Sequence, residues 1–177
     1  MGSRRAVFLD RDGVLNRALV RNGKPFPPAS VEEMEILPGA AEAVNRLAEA
    51  GFVLVVVTNQ PDVSRGTMAR ETVEKINDSI RAVMPIAEFR TCYHDSSDNC
   101  DCRKPKPGAL LAAAKAHGID LVRSFMIGDR WRDVEAGRAA GCQTVFIDYG
   151  YDEEQPENAD FSVGSLEEAI GYILETC

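Results

Sequence analysis

Apolar residues along the chain alternate between short continuous runs and stretches with a helical beat. AVFLD (6–10) is a buried-type run that ends in an aspartate. FVLVVVTN (52–59) is a longer, β-branched run, the pattern of a strand covered on both faces. Between them, PGAAEAVNRLAEAG (38–51) has apolar residues at 40, 43, 44, 47 and 48, a proline at its start and a glycine at its end, which predicts a helix. The same reasoning predicts helices over 67–83, 107–118, 131–141 and 165–174, and strands over 88–94, 124–129 and 143–150. Residues 151–160 read as an acidic loop, and no internal repeat or long linker interrupts the alternation.

Strands alternating with helices imply an α/β fold with a mostly parallel central sheet and helices on both faces, a Rossmann-like three-layer sandwich. At 177 residues the chain fits a single domain, 1–177, on the usual scale of about 150 residues per domain. In such sheets, ligands bind outside the carboxyl ends of the strands. Asp10, Thr58 and Asp129 each stand at or just past a predicted strand end, so all three should converge on one crevice.

Charge narrows the choice of ligand. Twenty Lys and Arg against 28 Asp and Glu leave a net charge of −8, which argues against binding a nucleic-acid backbone. No apolar run approaches the ~18 residues of a membrane-spanning helix, so no membrane contact is expected. The opening MGSRRAVFLDRDG offers an apolar stretch of only four residues, too short for a signal-peptide core. MGS resembles the start of a myristoylation signal, but Ala6 stands where Ser or Thr is needed. Five cysteines without a secretory leader point to a cytoplasmic protein with metal-binding or buried thiols.

Asp10 and Asp12 form a DxD pair on a strand-to-loop turn, with Gly13 allowing close approach of the backbone. Two carboxylates so spaced can divide the work of nucleophile and general acid/base. A lone DxD is more often a solvated turn; its place after AVFL raises its weight. Thr58 and Asn59 bring a hydroxyl and an amide out of the most hydrophobic strand, groups suited to phosphate oxygens. Lys104, beside Arg103, can supply a cation to a phosphoryl group, and Asp129 and Asp133 bracket the turn GDRWRD. Asp10 with Asp129 would suit Mg²⁺, a hard ion that prefers oxygen ligands.

Cys92, His94, Cys100 and Cys102 place three thiols and an imidazole within eleven residues, a standard structural Zn²⁺ set with no position left open for catalysis. The intervening DSSDN has little other reason to be ordered, and a zinc clamp there would position Arg103 and Lys104. Cys142 reads as a helix-end or core thiol and Cys177 as a tail residue; His117 sits near a helix end without a visible partner.

FLDRDGVLN (8–16), VVVTNQ (55–60), CRKPKPG (102–108) and MIGDRWRD (126–133) together resemble the four ordered motifs of the haloacid dehalogenase superfamily of phosphatases. The resemblance implies that Asp10 attacks phosphorus and forms an aspartyl-phosphate. It implies that Asp12 protonates the leaving oxygen and then activates water, while Thr58 and Lys104 hold the phosphoryl group. Mg²⁺ would be bound by Asp10, the main-chain carbonyl of Asp12 and Asp129. Asp133 either joins the metal or only orients its loop.

Within the superfamily, the cysteine loop followed by CRKPKPG is similar to the subfamily of heptose-bisphosphate and histidinol-phosphate phosphatases. VVVTNQ, SRG (64–66) and CRKPKPG point to the sugar phosphate, while the five-residue gap between His94 and Cys100 points to histidinol phosphate. The resemblance implies a small phosphorylated sugar as substrate, met by Asn59, Arg103 and Arg130, although Arg130 reads equally as a surface salt-bridge residue. An open site leaves monomeric action possible, and a monomer is expected. No large cap domain fits between the motifs, so loops 17–30, 61–66 and 93–101 should close the site.

Overall fold

A computed structural model describes residues 3–176; the opening residues Met1 and Gly2 and the tail thiol Cys177 lie outside the described residues. Eight strands and five helices follow the chain as β1 (Ala6–Leu9), β2 (Leu19–Arg21), β3 (Lys24–Phe26), α1 (Ala40–Glu49), β4 (Val53–Asn59), α2 (Arg70–Arg81), β5 (Glu88–Cys92), α3 (Gly108–His117), β6 (Phe125–Gly128), α4 (Trp131–Ala140), β7 (Gln143–Ile147), β8 (Phe161–Val163) and α5 (Leu166–Thr176). Six strands form one sheet in the order β5-β4-β1-β6-β7-β8. Every pairing in it is parallel, going beyond the expected mostly parallel sheet.

The apolar runs explain the layering. In β1, Val7 and Leu9 face a core built with Val44 and Leu47 of α1, Ile76 and Ile80 of α2, and Ile170 and Ile173 of α5. Ala6 and Phe8 face the other side, where Leu110 and Ala113 of α3 and Ala136 of α4 pack. This is the period of two expected for a strand, and it makes both faces of the sheet core. Gly137 lets α4 lie close on the sheet, since a Cβ there would stand 2.6 Å from Met126 Cβ. Among the described residues no helix is long and apolar enough to cross a membrane.

Two strand pairings depart from the expected loops. Residues 17–30 contain the antiparallel hairpin β2–β3, joined by Asn22-Gly23 with φ of 50° and 75°. Both angles are positive, as an Asn-Gly type I′ hairpin turn demands. The dipeptide was the legible signal; its three-residue strands were too short to show alternation. The sheet also gains β8 beyond the acidic loop, where only Val163 of its three residues is buried.

Strand order reverses between β1 and β6: from β1 the chain builds outward through β4 and β5, then returns to β6 on the opposite side. Loops leaving the carboxyl ends of β1, β4 and β6 therefore splay apart over one crevice, the place where such sheets bind ligands.

Candidate active site

The crevice brings together Asp10 from the end of β1, Thr58 from β4, Lys104 from the loop before α3, and Asp129 and Asp133 around the turn into α4. The Lys104 ammonium donates to Asp10 Oδ1 at 2.9 Å, to Asp133 Oδ1 at 2.6 Å and to the Val57 carbonyl at 2.6 Å. It is 2% exposed. Burial alone would lower its affinity for the proton, but the charges of Asp10 and Asp133 outweigh it and hold Lys104 above the ordinary lysine range. Burial, followed by the charge of Asp133, pushes Asp10 up to about 6 against the pull of Lys104. Asp129 is also raised well above the ordinary carboxylate value, first by burial and then by Asp10 and Asp133.

One oxygen of this cluster stands out. Asp129 Oδ1 is buried without a hydrogen-bond partner, while its Oδ2 accepts from the Tyr151 hydroxyl at 2.8 Å. Carboxylate oxygens of Asp10, Asp129 and Asp133 lie within 4.8 Å of one another, with Lys104 as the cation held between Asp10 and Asp133. An unpartnered buried oxygen in a site with more negative than positive charge suits a divalent cation with oxygen ligands. Asp133 has both oxygens engaged, Oδ1 by Lys104 and Oδ2 by the Arg130 backbone N–H at 3.0 Å. Its carboxylate caps α4 and aims Lys104. Gly128 makes room for it, since a Cβ there would stand 2.1 Å from Asp133 Cβ.

Asp12 is held by neighbours that the motifs do not mark as functional. Its Oδ1 accepts from Asn16 Nδ2 at 2.9 Å and from Arg11 at 3.1 Å, and its Oδ2 accepts from Gln60 Nε2 at 2.8 Å. Gln60 also donates to the Thr58 hydroxyl at 2.9 Å, so one amide links the DxD turn to the end of β4. Arg11 is completely buried and donates to Asn77 Oδ1 at 2.9 Å on α2. Asn59 lines the crevice and also braces the lysine loop. Its carboxamide accepts from the Lys104 N–H at 3.1 Å and donates to the Lys104 carbonyl at 3.0 Å. The main chain carrying the lysine is thereby pinned to β4.

The cleft above has a volume of about 330 Å³. All three loops expected to close it contribute to its lining, with Phe26 from the hairpin, Arg65 from 61–66 and Ser96 from the cysteine loop. Arg103, Arg130, Arg132 and Lys24 bring positive charge to its walls in a chain of net charge −8. Arg130 is gripped by Glu153, its Nε donating to Oε1 at 2.9 Å and Oε2 at 3.1 Å.

The cysteine loop gathers as its spacing suggested. The Cys92, Cys100 and Cys102 sulfurs lie 3.1 to 3.7 Å apart, and His94 Nδ1 is 3.3 Å from Cys102 Sγ and 3.6 Å from Cys92 Sγ. With metal bonds of about 2.3 Å to sulfur and 2.0 Å to nitrogen, a tetrahedron has edges of about 3.5–3.8 Å, so the four atoms can enclose one ion. The intervening DSSDN is also ordered in its own right. Ser96–Asp98 is a 3₁₀ turn capped by Asp95, Arg65 clasps Asp95 at 2.7 and 3.0 Å, and Ser64 donates to Asp98 at 2.7 Å. Metal ligation would therefore not be its sole source of order. His117 does have a partner, Glu88 Oε2 at 2.8 Å on the neighbouring β5, and Cys142 is a buried core thiol.

Sequence reasoning missed Tyr149, Tyr151 and Glu153. The available signal was topological: they follow β7, whose carboxyl end lies on the same rim as those of β1 and β6. A buried carboxylate beside a lysine, with a second carboxylate two residues on and a carboxylate cluster behind that could hold a cation, is the arrangement that phosphoric monoester hydrolysis calls for.

Comparison with known proteins agrees. The HAD-hydrolase-like family model matches residues 101–169. The chain is 35% identical over 153 residues to the D-glycero-β-D-manno-heptose-1,7-bisphosphate 7-phosphatase of Pseudomonas aeruginosa, covering 84% of this chain and 83% of that protein. It is 34% identical to the D-glycero-D-manno-heptose-1,7-bisphosphate 7-phosphatase of Chlorobaculum tepidum, covering 87% and 83%. It also superposes on the crystal structure of the D,D-heptose 1,7-bisphosphate phosphatase of B. bronchiseptica, complexed with magnesium and phosphate, with a TM-score of 0.83, 28% identity and coverage of 98% and 99%. The chain belongs to this family of haloacid dehalogenase-like phosphatases.

Proposed function

We propose that the enzyme removes the C7 phosphate of D-glycero-D-manno-heptose 1,7-bisphosphate, supplying heptose for glycan precursors. The observation that carries this reading is the cleft itself, with Asp10 and Lys104 at its floor and Arg103, Arg130, Arg132 and Lys24 along its walls. A substrate with one phosphate to be cleaved and a second anion to be held matches that distribution. Relatives that share most of the chain's length carry the same substrate in their names.

In the proposed reaction an Asp10 oxygen forms a bond to phosphorus while the bond from phosphorus to the C7 oxygen breaks. Asp12 gives its proton to that oxygen. It then takes a proton from the water that attacks phosphorus, the Asp10–phosphorus bond breaks, and inorganic phosphate leaves. The Thr58 hydroxyl and Lys104 ammonium hold the phosphoryl oxygens, Asn59 and Asp133 hold Lys104, and Gln60 keeps Asp12 aligned with Thr58. Mg²⁺, held by Asp10, the Asp12 carbonyl and Asp129, would offset the charge of the phosphoryl group against the carboxylates. Arg103 and Arg130 meet the substrate's far end. The enzyme acts as a monomer in the cytoplasm, whose reducing conditions keep thiols available to bind a metal.

Phosphate release with Mg²⁺, from both anomers of the heptose bisphosphate and from histidinol phosphate, tests the substrate. The expected result is cleavage at C7 alone, with kcat/KM at least ~100-fold above that for histidinol phosphate, on the scale a site gains by pairing its polar groups. A preference for histidinol phosphate would overturn the reading and restore the weight of the short gap between His94 and Cys100.

We also propose that Cys92, His94, Cys100 and Cys102 bind Zn²⁺ as a structural clamp that places Arg103 and Lys104. Cys100→Ser is expected to lose about one zinc per chain in elemental analysis and to lower kcat about tenfold or more. Because Arg65 and Ser64 also hold the loop, the protein should still fold. An unchanged zinc content would refute the clamp.

A further inference from the structure

The loop after β7 crosses behind the carboxylate cluster, and one of its side chains ends on a proposed metal ligand. Tyr151 donates to Asp129 Oδ2 at 2.8 Å, while Asp129 Oδ1 is buried and unpartnered. The two oxygens of one carboxylate are thereby made unequal.

The tyrosine is itself held in place. The Tyr149 ring lies against it with centroids 5.7 Å apart, and the Tyr149 hydroxyl donates to the Gly13 carbonyl at 2.9 Å. On its other side, the Asp152 N–H donates to the Gly23 carbonyl at 2.8 Å in the turn of the hairpin, and Glu153 grips Arg130. Gly13 also gives the Tyr151–Asp129 pair its space: a Cβ there, at a φ of 88°, would stand 1.9 Å from Asp129 Oδ2.

We propose that Tyr151 is a positioning residue for the divalent metal, holding Asp129 Oδ2 so that Oδ1 is the oxygen offered to the ion. The inference rests on the reading of Asp129 as a Mg²⁺ ligand. Hydrogen bonds to a ligating carboxylate fix its orientation, and their loss typically costs 10–100-fold in metal affinity or activity. Phenylalanine keeps the ring and removes only the donor.

The test is a titration of the zinc-loaded, Mg²⁺-free full chain with Mn²⁺, following free Mn²⁺ by electron paramagnetic resonance, in wild type, Tyr151→Phe and Asp129→Asn. Wild type should show one tight site and Asp129→Asn should lose it. Tyr151→Phe should keep the site with its Kd raised about tenfold, and near-ultraviolet circular dichroism should stay native. In assays, the half-saturating Mg²⁺ concentration should rise by the same factor, while kcat at saturating Mg²⁺ stays within about threefold of wild type. A Mn²⁺ Kd for Tyr151→Phe less than threefold above wild type would overturn the inference and leave the metal assignment standing. A Mn²⁺ site that survives Asp129→Asn would overturn both.

Discussion

Asp10→Asn is expected to leave a folded protein whose phosphatase rate falls by roughly 10⁴-fold or more, the scale seen when a nucleophile is removed. The carboxamide has the size of the carboxylate and its oxygen can still accept from Lys104, so geometry survives while nucleophilicity does not. The same substitution is expected to stabilise the metal-free protein. Burial and Asp133 push Asp10 up to about 6 from an ordinary value of 3.8. Between those values the folded protein binds more protons than the unfolded chain, so stability falls as pH rises through that window. By pH 7 the ionised carboxylate costs on the order of 1–3 kcal/mol, which asparagine does not. Thermal melts in a chelator at pH 7 should place Asp10→Asn above wild type, and assays with Mg²⁺ should find it inactive. Turnover within about a hundredfold of wild type would sink the nucleophile assignment, and a lower melting temperature would sink the account of the charge cluster.

Opposite trends in stability and activity are expected wherever function gathers like charges. Here they follow from elements whose positions were readable in the sequence. The runs at 6–9 and 53–59 are apolar on both faces, so they announce central strands, and topology then dictates that Asp10, Thr58 and Asp129 meet. Less legible were contacts that depend on where loops travel after leaving the sheet. Arg11 carries no sequence signal of a structural role, yet it is completely buried, and Asn77, on the buried face of α2, accepts from its guanidinium. Glu153 reads as part of an acidic loop, yet that loop turns back over the carboxyl ends of the strands and pairs with Arg130. The β2–β3 hairpin is hard to see in the sequence because its register rests on two turn residues and not on a hydrophobic pattern. Periodicity reports what a segment buries against the sheet, and it carries no information on which loop crosses which.

Lys104 is where stability and chemistry depend on one side chain. Lys104→Met is expected to destabilise the protein by about 3–5 kcal/mol, the penalty for leaving buried charges without their partner. Three acceptors lose their donor at once: Asp10 Oδ1, Asp133 Oδ1 and the Val57 carbonyl. For a chain of this size that is a fall of roughly 10 °C in melting temperature. Arginine should rescue little, because a planar fork cannot replace a point donor among three acceptors at a site only 2% exposed. Activity should fall by about 10³-fold or more in kcat, since a donor aimed at developing phosphoryl charge is lost and Asp10 loses the contact that fixes its carboxylate. The pH dependence separates this account from simple loss of packing. Without the ammonium, Asp10 is raised further and takes up a proton more readily in the folded state. The gap in melting temperature between Lys104→Met and wild type should therefore narrow as pH falls from 8 to 5. A gap that is constant with pH would mean that the lysine stem, and not its charge, was holding the cluster together.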